Sequence, residues 1–133
     1  MSGKLIRQDL VLPELSYAVV GALFEVSNEF GNSYQEKYYY PAVKKSLEKR
    51  GLSVKTQIAI PIKFQDERIS QYIVDFLIED KIVLELKVSG RFRKSDFFQL
   101  KAYLQVSKKP LGILARIASD GVTFHRVLPD HHL

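Results

Sequence analysis

The chain has 133 residues, 46% of them hydrophobic and 11% aromatic, which is enough to bury one core and excludes a fully disordered chain. The absence of cysteine excludes a disulfide framework, a thiolate metal site and a cysteine nucleophile, and it fits a reducing, cytoplasmic setting. Twenty Lys and Arg against 15 Asp and Glu leave +5, which permits a polyanionic partner, and no apolar run approaches the roughly 18 residues that span a bilayer, so no membrane partner is expected.

The expected organisation is an extension over 1–12, a single domain over 13–128 and a tail over 129–133. Leu15, Val19, Leu23, Val26 and Phe30 recur at helical spacing and predict a helix from about Pro13 to Phe30, with Gly31 as its stop. A second helix is expected from about Tyr34 to Arg50. Ser33 is its expected N-cap, and Glu36 three residues on completes a capping-box pattern. Tyr39, Val43 and Leu47 would share its buried face. Pro41 disturbs this helix, which is either kinked there or begins later. Val54 to Phe64 alternates as a strand, and Pro61 suits an edge or a bulge. Further strands are expected over Ile69 to Ile78 and Ile82 to Val88. A third helix is expected from Lys94 to Val106, with Ser95 as cap, then strands over Leu111 to Ile117 and Val122 to Val127. The order predicts a mixed α/β domain.

The residues that suggest chemistry are Asp75, Glu85 and Lys87. Strand side chains alternate, so Glu85 and Lys87 face the same way, while Ile82, Leu84, Leu86 and Val88 form an apolar face. Asp75 stands in an otherwise apolar strand, and an unpaired buried carboxylate there costs several kcal/mol unless a donor, cation or metal meets it. Only Glu79, Asp80 and Lys81 separate the two strands. A three-residue loop pairs Ile78 with Ile82 and therefore sets Asp75 opposite Glu85, with Cβ atoms about 5 Å apart. Two carboxylates so close repel, and oxygen ligands of this kind suit Mg²⁺ or Mn²⁺. Lys87 would stand beside the attacking water or the scissile phosphate. The competing reading is a solvated strand face with an ordinary salt bridge.

Asp75 followed by Glu85-Leu86-Lys87 resembles the signature of the PD-(D/E)XK nuclease superfamily. Within it, Phe30-Gly31-Asn32-Ser33-Tyr34-Gln35-Glu36-Lys37-Tyr38-Tyr39 is similar to the naming motif of the GxxExxY family, with Glu36 and Tyr39 at its Glu and Tyr and Ser33 in place of its first Gly. Gln99-Leu100-Lys101-Ala102-Tyr103 resembles the Gln-x-x-x-Tyr element that follows the lysine in many of these nucleases, and the Pro that precedes the superfamily's aspartate is missing here. The resemblance implies a restriction-endonuclease-like core, a mixed β-sheet flanked by α-helices. It implies divalent-metal-dependent hydrolysis of nucleic acid, with DNA the expected substrate. It makes Glu36 a further metal ligand or water-orienting group beside Asp75 and Glu85. Gln99 and Tyr103, four apart on one helix face, could both approach a phosphate. Tyr39 and Tyr103 also read as core aromatics, and Glu36 as a capping residue.

Arg91, Arg93 and Lys94 follow the Glu-x-Lys strand, where phosphates need neutralising, and are the expected nucleic-acid contacts. His125, His131 and His132 lack metal-ligand spacing. His125 reads as an exposed strand residue and the other two as tail. A domain this small offers little surface to a duplex, so a homodimer is the expected way to cut both strands. The alternatives are a binding module of the same fold that does not cut, and a structural domain in which Glu85 pairs with Lys87.

Overall fold

The computed structural model describes residues 10–129, and every structural statement below concerns those. The parts of the expected extension and tail beyond them, His131 and His132 included, lie outside the described residues.

Helix α1 spans Pro13–Phe30, as the periodicity predicts. Val19, Leu23 and Val26 are buried, and Leu15 and Phe30 pack at the edge of the same core. Gly31 ends the helix in the left-handed region, at φ 57°, which costs glycine nothing.

The second helix begins later than its sequence pattern suggests. A single 3₁₀ turn covers Glu36–Tyr38, and α2 runs over Tyr39–Lys49. Pro41 is the reason. In the first turn of α2 its missing N–H is not needed, whereas a helix begun at Tyr34 would place it in the interior. The turn opens at Gln35 without a side-chain cap, so the expected capping box of Ser33 and Glu36 does not form. Tyr39, Val43 and Leu47 are buried as expected, and the Tyr39 hydroxyl donates to the Gly31 carbonyl at 3.0 Å.

Five strands follow in a sheet whose spatial order is their chain order: β1 Val54–Phe64, β2 Glu67–Ile78, β3 Ile82–Val88, β4 Leu111–Ala118 and β5 Gly121–Val127. β3 and β4 are parallel and the other neighbours antiparallel. The parallel pair requires a crossover, which is α3, Lys94–Ser107. One face of the sheet carries Phe76, Ile78, Leu84, Leu86, Ile113 and Ile117 against α1 and α2. The other carries Val74, Leu77, Val83 and Leu114 against Leu100 and Leu104 of α3. Gly112 of β4 lets α3 approach, since a Cβ there would lie 2.9 Å from Leu100 Cγ. This is the mixed sheet flanked by helices that the resemblance implies. Pro61 lies on the edge strand β1, and the β1–β2 register slips between Ile62 and Lys63. Ser95 does not cap α3. The Asp96 carboxylate closes the first turn instead, accepting the Arg93 N–H at 2.7 Å. Among the described residues no helix is long and apolar enough to cross a membrane.

The hairpin has the expected register, with Ile78 opposite Ile82, Leu77 opposite Val83 and Phe76 opposite Leu84. There the ladder stops. In the β1–β2 ribbon Gln57 and Asp75 are left out of the pairing although the same register holds on both sides of them, and Gln57 takes φ 56°. The side chains change phase at this point. Phe76 and Ile78 face α1 and α2, but Val74 and Tyr72 turn toward α3. Beyond Asp75 the ribbon is no longer paired with β3, which leaves a gap between β2 and β3 inside the sheet.

Candidate active site

The gap exposes backbone groups that a continued ladder would satisfy. By the same register Leu86 would pair with Val74. Instead its N–H is taken by Asp75 Oδ2 at 2.8 Å, and its carbonyl accepts the Tyr40 hydroxyl at 3.1 Å. The Asp75 N–H donates to Glu85 Oε2 at 3.1 Å. Each carboxylate thus holds the other strand's backbone, and the two are locked side by side. A third bond comes from the Tyr72 hydroxyl, which reaches Glu85 Oε1 at 3.3 Å.

Together these groups line a cleft of about 380 Å³ under the N-terminal half of α3. Burial, then the charge of Asp75, pushes the Glu85 carboxyl up to about 8. Burial raises Asp75 as well, against the pull of the Leu86 N–H. Burial and the same two carboxylates, with Glu36, push the Tyr40 hydroxyl up to about 12. Tyr72 and Tyr103 are raised for the same first reason, loss of water, with Glu85 adding to it.

Neither Asp75 nor Glu85 has a cationic partner among the described residues. Lys87, two residues beyond Glu85, turns its ammonium to Asp96, with Nζ 3.3 Å from Oδ2. The expected alternative of a Glu85–Lys87 salt bridge is therefore not formed. Burial alone would raise Asp96, but the Arg93 N–H and the Lys87 ammonium outweigh it and hold its carboxyl below the ordinary range.

Asp75, Glu85, Lys87, Arg93, Gln99 and Tyr103 all line the cleft, so the structure brings together six of the residues singled out in the sequence. Glu36 sits on the exposed 3₁₀ turn outside the lining, although its charge reaches the Tyr40 hydroxyl. Arg91 and Lys94 are exposed and also lie outside it. His125 is exposed on β5, its ring edge-on to Phe92 and Phe97, each 5.2 Å away. Sequence reasoning missed Tyr40, Tyr72 and Asp96. Tyr72 stacks on Tyr103, ring centres 4.1 Å apart, and so ties β2 to α3 across the cleft. No local signal could have found it, since strand alternation sets Tyr72, three residues before Asp75, on the opposite face.

Among the described residues no group of three acidic or histidine side chains could hold a metal ion. The donor set of the gap is two half-buried carboxylates lacking a counter-charge, plus the Leu86 carbonyl directed into the same gap. Hard oxygens in that number fit a divalent cation of the magnesium kind, which keeps several of its own waters. They do not fit zinc, for which nitrogen and sulfur ligands are usual.

The family model of the PD-(D/E)XK nuclease superfamily matches residues 13–125. The chain belongs to that superfamily. The match covers every element that builds the cleft. The solved structure of SSO0001 is similar to 91% of this chain, with a TM-score of 0.57 and 16% identity, a likeness of fold. This chain spans 60% of that one's length. No curated protein matches the sequence.

Proposed function

We propose that this superfamily member, of the GxxExxY type, is a divalent-metal-dependent nuclease that hydrolyses phosphodiester bonds of DNA. The observation that carries the reading is the juxtaposition of Asp75 and Glu85, two carboxylates in one cleft with no protein cation between them. Asp75, Glu85 and the Leu86 carbonyl would hold Mg²⁺ or Mn²⁺, and Glu36 would act from the rim through water. When bound, the cation polarises a phosphate oxygen and offsets charge as the transition state forms.

The other groups have separate tasks. Tyr72 fixes the Glu85 carboxylate by its hydrogen bond. Lys87 carries its positive charge in the cleft wall, where it orients the attacking water and stabilises the developing pentavalent phosphate. Gln99, Tyr103 and Arg93 line the α3 side of the cleft and would receive the phosphate and sugar. Exposed Arg91 and Lys94 would extend that contact along the strand, and such contacts weaken with salt. Cleavage of both strands of a duplex would use a homodimer.

A cleavage panel over plasmid, linear, branched and single-stranded substrates, with Mg²⁺ or Mn²⁺, tests this reading. Cutting that requires the ion, and that disappears in Glu85→Gln while DNA binding persists, is the expected result. Protein that cuts none of these substrates with either ion refutes it and leaves a binding module of the same fold.

A further inference from the structure

Lys87 has three carboxylates within the same cleft to serve: Asp75, Glu85 and Asp96. Glu85 is the neighbour that strand geometry offers first, because residues two apart point the same way. Asp75 and Glu85 also have the greater need, being adjacent, half-buried and without a counter-charge. Yet the ammonium goes to Asp96, at 3.3 Å. Asp96 itself is held. Its Oδ2 accepts the Arg93 N–H at 2.7 Å, its Oδ1 faces the Arg93 guanidinium at 3.7 Å, and its side chain is only 11% exposed. Its oxygens are therefore engaged by donors on the α3 side of the cleft, and it is not free to join the pair.

A lysine without this anchor would be a competitor. Four methylenes give its ammonium enough reach and freedom to settle between Asp75 and Glu85 and neutralise them. A divalent cation would then have to displace it. We propose that Asp96 is a positioning residue that holds the Lys87 ammonium against the first turn of α3 and so keeps Asp75 and Glu85 open to a divalent cation. This role presupposes the cation reading of the two carboxylates, and it adds that the cleft is kept receptive by a residue that does not touch the ion.

The test is titration of Mn²⁺ alone, without nucleic acid, into the wild-type protein and into Asp96→Asn, Lys87→Met and the double variant, followed by isothermal calorimetry. Asn keeps an oxygen for the Arg93 N–H but loses the charge that holds Lys87, and far-UV circular dichroism of each protein reports that the fold is kept. The expected result is Mn²⁺ affinity about 10–100-fold weaker in Asp96→Asn, as for other residues that orient a metal site from outside it. Lys87→Met binds at least as tightly as wild type. Adding it to Asp96→Asn restores affinity, because the competitor is gone. Two results overturn the proposal while leaving the cation reading intact. One is Asp96→Asn binding like wild type. The other is a double variant as weak as Asp96→Asn, which would make Asp96 a ligand or a purely structural support. Wild-type protein that takes up no Mn²⁺ overturns both.

Discussion

Glu85→Gln probes the electrostatics of the cleft with no substrate present. Burial and the neighbouring Asp75 raise the Glu85 carboxyl from its ordinary 4.5 to about 8. In the unfolded chain the group returns to the ordinary value. Between the two pH values the unfolded chain releases a proton that the folded protein retains, so stability falls as pH rises and levels off above the folded pKa. Each pH unit of difference corresponds to about 1.4 kcal/mol, which sets a ceiling of about 5 kcal/mol on the penalty. Gln carries no charge at any pH, and its amide still offers an oxygen to the Asp75 N–H. The two proteins are therefore expected to be nearly equal at pH 5, and the variant more stable by about 3–5 kcal/mol at pH 9. Mg²⁺ should narrow the gap at pH 9, because a ligand at 100 times its Kd adds about 2.7 kcal/mol to a protein that binds it. Urea unfolding followed by far-UV circular dichroism is the assay, since the chain has no tryptophan. Identical pH dependence in the two proteins would refute the claim that Glu85 is held protonated by its surroundings.

Three further outcomes follow from the packing around the cleft. Tyr40→Phe removes the hydroxyl that satisfies the Leu86 carbonyl and should lower stability by about 0.5–1.5 kcal/mol in chemical denaturation. Gly112→Ala places a methyl 2.9 Å from Leu100 Cγ, so the Leu100 side chain, and with it the packing of α3, must give way. A loss of about 1–3 kcal/mol is expected, together with weaker cleavage, because Gln99 and Tyr103 ride on the same helix. Lys87→Met should cut the single-turnover cleavage rate by about 10²–10³-fold, the cost of losing one charge-stabilising donor. The same variant should leave the melting temperature within a few degrees of wild type.

The parts of this molecule that the sequence discloses are those governed by local spacing. The stripe from Leu15 to Phe30 fixes α1, and the three residues Glu79 to Lys81 fix the hairpin register, which is why the opposition of Asp75 and Glu85 is deducible without coordinates. Turn chemistry sets pairing only while the ladder lasts, however, and the ladder ends at Phe76 and Leu84. Nothing in a period of two announces that Gln57 and Asp75 go unpaired within a continuing register, or that Tyr72 then swings under α3. The partner of Lys87 is equally remote from local pattern, because Asp96 reaches it only through the crossover that α3 makes between parallel strands. Asp75 joins the two levels. Its carboxylate is the acceptor that replaces Val74 at the Leu86 N–H, so the residue that looks misplaced in an apolar strand is the one that lets the strand leave the sheet. The break in the ladder and the acidic cleft thus have a single cause: the strands separate where a side chain can stand in for the backbone, and the space they leave holds the oxygens that face the gap.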